Sequence, residues 1–361
     1  MPLSRREFCL GAAALAAPSG FWQGSERTRI LRAAEAALTQ APLTIADLPA
    51  PRSPGGRNDY YSEADYWWPD PARPNGAYIR RDGYSNPDKF VAHRDAMIRL
   101  SLLVPALAAG WKLTADRRFA DHAKRHLDAW FSAMNPNLAY AQRIIGVDQG
   151  RSIGIIDTLH LVEVARAADA IDADVKSWFR DYHGWLNNSA AGKDERDQKN
   201  NHGTCWLLQA LQFGLTSGDA QARSMALDRL RTKILPLQIA ADGSQPLELA
   251  RTKPYSYSLF NLEVLSTIAH ILGPEAWTIE PGLPQALAFM FPYIEDKKRW
   301  PYPPDVEYFA DWPVRQVQLL FAGLALNRPD YIKLWRRLDP DPSVPEVVRN
   351  FPIRQPVLWL D

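Results

Sequence analysis

The chain has 361 residues, and its 42 Lys and Arg residues nearly balance its 41 Asp and Glu residues, giving a formal net charge of +1. This balance excludes a protein that binds nucleic acid or a membrane surface through bulk charge. The cysteines, Cys9 and Cys205, are too few for a disulfide framework, so stability has to come from the large apolar core that a chain of this length can bury.

The N-terminus has the pattern of a twin-arginine export signal. Residues 4–10, SRREFCL, precede a short apolar run at residues 11–17 that contains small residues suited to cleavage. We predict a signal peptide at residues 1–21, a mature chain at residues 22–361 and a periplasmic or secreted location. A membrane-spanning helix needs roughly 20 apolar residues, and we expect no later segment to meet that requirement. The alternative is a basic N-terminus that arose by chance.

Most of the mature chain carries the apolar spacing of helices, with apolar residues three and four positions apart. The alternation typical of half-buried strands is scarce, so the predicted fold is all-α. Residues 22–361 contain no Gly/Ser linker and no break in composition, which predicts a single domain. The helical pattern covers residues 30–38, 96–109, 119–134, 153–171, 175–186, 205–215, 222–234, 260–272, 283–291 and 314–326.

Two segments do not follow the helical pattern. Residues 49–88 are rich in Pro, Gly, Asp, Arg and aromatic residues, and residues 300–312 are similar on a smaller scale. A long irregular segment in a compact domain is usually functional or disordered. We predict an ordered loop over a cleft, and a candidate lid, because its many rings favour burial. We call residues 49–88 the aromatic loop; its rings include Tyr60, Tyr61, Tyr66, Trp67, Trp68 and Tyr78.

Four polar residues in the second half of the chain suggest a reaction. Asn201, His202, Arg251 and Tyr257 supply an amide, an imidazole, a guanidinium and a phenol. This set suits the removal of a proton from the carbon next to a sugar carboxylate, which is lysis of a polysaccharide by β-elimination. Each residue also has an ordinary alternative: the segment of His202 can cap a helix, Tyr257 can be core, and Arg251 can pair with Glu248 on the surface.

Five motifs in order resemble the alginate lyase-like superfamily over residues 59–312. The resemblance implies an incomplete α/α toroid that acts on polyuronates. It also implies Asn201 and His202 at the substrate carboxylate, Tyr257 as the proton carrier and Arg251 beside it. The motifs are EADYWWPDP at residues 63–71, YIRRDG at 78–83 with NP at 86–87, YAQ at 140–142 with GRSIGIID at 150–157, NNHGT at 200–204, and ELAR at 248–251 with YSLFNL at 257–262.

The chain departs from the alginate lyases of polysaccharide lyase family 5. The spacing from Arg251 to Tyr257 is shorter by one residue, and the aromatic loop carries the Tyr66-Trp67-Trp68 signature in place of a basic loop. The chain looks closer to family 38. That resemblance implies glucuronan or mannuronate-rich alginate as the substrate.

The chemistry also follows from elementary principles. Hydrogen bonds from Asn201 and His202 to a uronate carboxylate stabilise the enediolate that forms when C5 loses its proton. A free phenol titrates near 10, so Tyr257 needs a nearby cation to lower its pKa, and Arg251 is the candidate. In mannuronate and glucuronate the C5 proton and the C4 oxygen lie on one face of the ring. One Tyr can then serve both atoms, which predicts syn elimination.

Six further residues are predicted to contact sugar or carboxylate: Tyr66, Trp67, Arg80, Arg81, Gln142 and Arg151. The alternative is that Arg80 and Arg81 pair with Asp82 or Asp70 and that the aromatic pair anchors the loop. His122 and His126 have the spacing of a metal pair, but no acid completes a site, and we expect no metal or other cofactor. The remaining histidines are expected to be structural or surface residues: His93, His160, His183 and His270.

Two rival functions remain at this point. A glycoside hydrolase on the same fold would need two carboxylates, with candidates Asp65, Asp70, Asp157 and Glu248. A protein that binds polyuronate without cleaving it would keep the aromatic cleft and would tolerate loss of the Tyr257 hydroxyl.

Overall fold

The computed structural model describes residues 20–74, 76–147 and 149–360. The predicted export signal falls almost entirely on residues 1–19, outside the described residues, and stays a prediction. The described chain is mainly helical. Its α-helices are α1 Ser25–Leu38, α2 Ala92–Thr114, α3 Arg117–Ala133, α4 Leu161–Ala170, α5 Lys176–Asn188, α6 Ala190–Arg196, α7 Asn201–Ser217, α8 Ala222–Arg229, α9 Leu235–Gln238, α10 Pro246–Leu249, α11 Pro254–Leu272, α12 Leu283–Glu295, α13 Gln318–Ala325, α14 Pro329–Arg337 and α15 Pro345–Arg349.

The helices form the incomplete α/α toroid that was predicted. An inner row runs from α2 through α4, α7 and α11 to α13, each helix in contact with the next. The outer helices α1, α3, α5 and α14 pack against members of this row. Residues 351–360 are buried and place a short 3-10 helix, Pro356–Leu358, against α2 and α4. One apolar core extends from Phe21 to Leu360.

The inner helices are apolar on nearly all sides because other helices surround them. Helix α2 is long and apolar enough to cross a bilayer by length and composition, so the expectation that no later segment meets this requirement was wrong. Of its most apolar window, 61% is buried inside the protein. Its side chains pack against α1, α3 and α4, as those of a core helix do.

The helical pattern located the helices but not their exact type. Residues 153–160 belong to a 3-10 helix, Ser152–His160, before α4 begins. The pattern at residues 222–234 continues from α8 into a π-helical turn, Leu230–Ile234. Helix α13 begins only at Gln318, after an extended segment, and the short helices α6, α10, α14 and α15 were not predicted.

The strands are few and short. β1 Tyr61–Glu63 pairs in parallel with β4 Tyr140–Arg143, with an irregularity between Tyr61 and Glu63. β2 Trp67–Trp68 pairs antiparallel with β3 Ile79–Arg80, which sets Trp67 opposite Arg80. Three of these strands lie in the aromatic loop, so the loop is ordered, as predicted, and is tied to the toroid through β4.

Candidate active site

A cavity of about 420 Å³ opens where the aromatic loop meets the inner helices. Asn201 and His202 line it from the first turn of α7, and Tyr257 lines it from the first turn of α11. The N-terminal end of a helix carries a partial positive charge and favours anions. Two such ends at one cavity suit a negatively charged ligand.

Asn201 is fixed by a buried acid. Its backbone N–H donates to Glu248 Oε1 at 2.8 Å, and its side-chain Nδ2 donates to Oε2 at 2.6 Å. Burial raises the pKa of Glu248, while the two hydrogen bonds from Asn201 oppose that rise. Each amide Nδ2 carries two hydrogens, so the second one remains for a ligand in the cavity.

The start of α7 explains why Asn200 and Asn201 do different work. Asn200 is the N-cap, and its side chain accepts from the backbone N–H of His202. Because Asn200 caps the helix, the side chains of Asn201 and His202 are available to line the cavity. Gly203 is required next to them, because a Cβ there would collide with the backbone oxygen of Gln198.

A second buried acid holds His202. Its Nδ1 lies 2.7 Å from Glu195 Oε1, and the carboxylate of Glu195 is fully buried in α6. The opposite ring nitrogen, Nε2, is left for the cavity that His202 lines. The ring therefore has one side towards the protein and one side towards a ligand.

Tyr257 is the only tyrosine besides Tyr66 among the described residues that line the cavity, and their hydroxyl oxygens lie 2.7 Å apart. The guanidinium of Arg251 lies over the Tyr257 ring, 4.8 Å from its centroid. Burial raises the pKa of Tyr257 well above its ordinary value, although Arg251 and the hydrogen bond with Tyr66 act to lower it. The prediction that Arg251 acts on Tyr257 holds in direction, but burial outweighs it in the free protein.

Arg251 is itself neutralised in part. It donates to Asp82 of the aromatic loop through Nη2 at 3.1 Å and Nε at 3.4 Å. Asp82 also accepts from Thr252 Oγ1 at 3.0 Å and from Arg80 Nη2 at 2.6 Å. The alternative pairing of Arg251 with Glu248 is wrong, because Glu248 is occupied by Asn201 and the aromatic loop supplies the acid.

Three further guanidinium groups lie in the cavity wall. Arg80, Arg151 and Arg349 line the cavity. Arg151 lies over Trp67, 5.6 Å from the ring centroid, and no acid among the described residues is within ion-pair distance of it. Arg349 donates to Asp65 at 2.6 Å. Among the guanidinium groups of the described wall, Arg151 is therefore the one that can bind a ligand carboxylate without first breaking an ion pair.

The structure brings nine of the ten predicted site residues into this cavity wall: Asn201, His202, Arg251, Tyr257, Tyr66, Trp67, Arg80, Gln142 and Arg151. The tenth, Arg81, does not line it. Successive residues of a strand point to opposite faces, so Arg81, which directly follows β3, points away from Arg80. Its guanidinium stacks on Trp68 at 5.1 Å.

Gln142 reaches the cavity only from within a buried network. Its Nε2 donates to Asp157 Oδ1 at 3.1 Å, and its backbone has a φ of 47°. Asp157 also accepts from the hydroxyls of Tyr60 and Ser62. This network ties β1 to β4 and makes Gln142 as much a structural residue as a cavity residue.

Sequence reasoning missed several residues of the site, and four of them are charged or polar groups from segments that no motif covers. They are the positioning acid Glu195 and the C-terminal wall residues Glu346, Arg349 and Asn350. Glu195 lies seven positions before His202, across the turn between α6 and α7, and no helical spacing joins them. Residues 346–350 lie beyond the last motif, and only the return of the chain brings them to the cavity.

The described residues contain no group of three or more His, Cys, Asp or Glu side chains able to hold a metal ion. Nε2 of His122 and Nε2 of His126 both lie near the carbonyl oxygen of Gln40, at 2.8 and 3.1 Å. The spacing of these two histidines therefore serves to hold the segment between α1 and the aromatic loop.

Known proteins resemble this chain in sequence and structure. Residues 45–300 match the family model described as alginate lyase. An alginate lyase from Bacteroides ovatus is 29% identical, with a TM-score of 0.77 over 92% of each chain. An alginate lyase from Sphingomonas species A1 is 17% identical, with a TM-score of 0.48 over 88% of this chain and 90% of the other. A variant of that enzyme complexed with a tetrasaccharide is 16% identical, with a TM-score of 0.49 over 87% and 88%.

Among curated protein sequences, none matches. The family match covers most of the chain and includes Asn201, His202, Arg251 and Tyr257. The chain therefore belongs to the alginate lyase family and is a polysaccharide lyase.

Proposed function

We propose that this lyase cleaves a β-1,4-linked polyuronate, either glucuronan or mannuronate-rich alginate, by syn β-elimination. The observation that carries the proposal is the set of groups in one cavity: the Tyr257 hydroxyl under Arg251, with the Asn201 amide and the His202 imidazole in the same wall. The structural relative from Bacteroides ovatus is described as an alginate lyase, which supports a polyuronate as the substrate.

Asn201 and His202 neutralise the substrate carboxylate in this proposal. The C5 proton of a uronate is weakly acidic, because its loss places a second negative charge beside the carboxylate. Donors already aimed at the place where charge develops stabilise the enediolate without having to reorganise. The acids behind them, Glu248 and Glu195, fix both side chains before substrate arrives.

Tyr257 then takes the C5 proton and returns a proton to the C4 oxygen as the glycosidic bond breaks. The products are a reducing end and a 4,5-unsaturated uronate. In the free protein the pKa of Tyr257 is raised by burial, so the hydroxyl is protonated at neutral pH. Tyr257 therefore has to release this proton to solvent before it can accept the C5 proton, and Arg251 stabilises the phenolate that forms.

The hydrolase alternative would require two carboxylates that are free to act on the bond. Asp65 lines the cavity but is held by Arg94 and Arg349, and Glu248 is held by Asn201. Asp157 is buried in the network of Gln142, and Asp70 pairs with Arg73. The four candidate acids therefore position other groups, which favours the lyase.

The test is the ultraviolet absorbance of the unsaturated product. Purified mature protein is incubated separately with glucuronan, polymannuronate and polyguluronate, beside Tyr257→Phe. We expect a rise in absorbance on glucuronan or polymannuronate that falls by about 10²- to 10⁴-fold in the variant. No rise on any of the three polymers would refute the proposed substrate, and an unchanged rate in Tyr257→Phe would refute the role of Tyr257.

We also propose export through the twin-arginine pathway to the periplasm or the cell exterior, where the polymer is found. The support is the SRREFCL sequence at residues 4–10. Fractionation of cells that express the full chain tests this, with Arg5→Lys and Arg6→Lys changed together. Export that continues unchanged in the double variant would contradict the proposal.

A further inference from the structure

The contact that extends the proposed function furthest is the one between Glu195 and His202. Glu195 belongs to α6, is fully buried, and places Oε1 2.7 Å from His202 Nδ1. Its other oxygen, Oε2, is also buried and has no hydrogen-bond partner among the described residues. Among the described residues, the Nδ1 of His202 is therefore the one hydrogen-bond partner of this carboxyl group.

Counting protons shows what the pair does. With one proton between them, that proton lies between Glu195 and Nδ1, and Nε2 presents a lone pair to the cavity. A lone pair repels a carboxylate. With two protons, Nε2 carries a hydrogen whether the charge is written as Glu195⁻ with His202⁺ or as two neutral groups. Only the pair with two protons can donate to a substrate carboxylate.

Neighbouring groups act on the pKa of Glu195 in both directions. Burial raises the pKa of Glu195, while the contact with His202 opposes that rise. Asp194, also on α6, raises it further, and the guanidinium of Arg151 lowers it. The charge of His202 also acts on Glu248 of α10, where it lowers the pKa of that carboxyl group. Two other titratable groups lie around Glu195, namely Tyr182 and Cys205. Both are fully buried, and burial raises the pKa of each, so they are neutral.

We propose that Glu195 is a positioning residue that holds His202 with Nε2 towards the cavity, and that binding of a uronate carboxylate draws a second proton onto the Glu195–His202 pair. The proposal rests on the proposed function, because it takes the anionic substrate to bind at Nε2. The empty pair with one proton has a net charge of −1, and the pair with two protons is neutral, so an arriving carboxylate favours the neutral pair.

Calorimetry measures this proton directly. Tyr257→Phe is titrated with tetramannuronate or tetraglucuronate at one pH in buffers of different ionisation enthalpy. The dependence of the heat on the buffer gives the number of protons taken up. We expect an uptake of up to one proton per bound chain, larger at higher pH, since more of the free protein then lacks the second proton. Adding Glu195→Gln should remove the uptake, because Gln cannot hold the charge of an imidazolium.

The matched control is Glu263→Gln. Glu263 is another fully buried acid on an inner helix, and it binds Gln316 rather than a cavity residue. We expect this control to retain both the activity and the proton uptake. Proton uptake that persists unchanged in Glu195→Gln would overturn the proposal, and so would uptake lost equally in Glu263→Gln.

Two further measurements separate this proposal from the proposed function. Nitrogen NMR of the free protein at the upper end of the pH range should show the His202 ring with its hydrogen on Nδ1, and a ring whose only hydrogen is on Nε2 there would overturn the positioning role even if no polyuronate binds. In the active enzyme, which retains Tyr257, Glu195→Gln should lower kcat/KM by about 10- to 100-fold. Glu195→Asp should recover part of this loss, and thermal unfolding confirms that each variant is folded.

Discussion

The two sides of the cavity are held by different means. Asn201, His202 and Tyr257 stand on the first turns of α7 and α11, whose backbones are fixed by helical hydrogen bonds and core packing. The aromatic loop contributes Trp67 and Arg80 from strands of only two residues, and Tyr66 from the turn before the first of them. Besides the pairing of β1 with β4, the loop is held by side-chain contacts, among them Asp65 with Arg94 and Arg349 and Asp82 with Arg251.

The catalytic groups therefore lie on the helical side of the cavity, and the contacts that position the aromatic loop lie on the other side. A substitution on the helical side should remove a catalytic group while the fold survives. A substitution in the anchors of the aromatic loop should instead cost stability or shift the charges around Tyr257. Four experiments test this division, in order of their expected effect.

Asp65→Asn should lower the free energy of unfolding by about 3–5 kcal/mol, because it leaves Arg94 and Arg349 buried without their carboxylate. Burial raises the pKa of Asp65, but Arg349 and Arg94 outweigh burial and hold that pKa well below its ordinary value. The stabilisation is thus present above the ordinary Asp range and is lost as the pH falls through the folded pKa. Denaturant titration at neutral and acidic pH measures this.

Asp70→Asn is the matched control for that experiment. Asp70 pairs with Arg73, which is 71% exposed, in the same loop. Its loss should leave the stability nearly unchanged. Equal losses in the two variants would show that the buried ion pairs of Asp65 do not anchor the loop.

Asn201→Ala should lower kcat/KM by about 10²- to 10³-fold, because it removes a donor aimed at the developing charge. It also removes the hydrogen bond from Asn201 Nδ2 to Glu248 Oε2, while the backbone N–H that donates to Oε1 remains, so the stability should fall by about 1–3 kcal/mol. Steady-state kinetics and thermal unfolding measure the two effects. Asn200→Ser keeps the helix cap and should retain most of the activity; an equal loss there would argue for a role in folding alone.

Asp82→Asn should move the pH profile. Burial holds the pKa of Tyr257 well above its ordinary value, and the negative charge of Asp82 adds to that rise. If Tyr257 must lose its proton, kcat/KM should rise about tenfold per pH unit below that pKa. Without Asp82 the charge of Arg251 is unopposed, so the same rise should occur at lower pH. A profile that falls with pH in the wild type, or that does not move in the variant, would count against Tyr257 as the base.

Arg80→Ala and Arg81→Ala should give the smallest change in kinetics, and they compare two neighbouring residues directly. Arg80 lines the cavity and is half-exposed, so its loss should raise KM by about two- to fivefold. Arg81 stacks on Trp68 outside the cavity. Its loss should leave KM and kcat unchanged, and a larger effect at Arg81 would mean that the polymer runs over the outer face of the loop.

The sequence alone was sufficient for the helical fold and for most of the site. Apolar spacing located the inner helices because each must bury one face or more. The motifs put Asn201 and His202 just ahead of the helical pattern at residues 205–215, whereas α7 begins at Asn201 and holds both in its first turn. Tyr257, ahead of the pattern at residues 260–272, likewise lies in the first turn of α11. Arg81 was misplaced because β3, which ends at Arg80, is too short to show an alternating pattern in the sequence.

Only the tertiary structure decided which groups face each other. Glu195 reaches His202 because a turn folds α6 back onto α7, and Glu248 reaches Asn201 because α10 passes the same helix end. Residues 346–350 join the wall because the C-terminal segment returns across the toroid. The local sequence determines periodicity and helix ends, which depend on near neighbours. The partners of buried acids and the pKa of Tyr257 depend on burial and on charges distant in sequence, so they exist only in the folded chain.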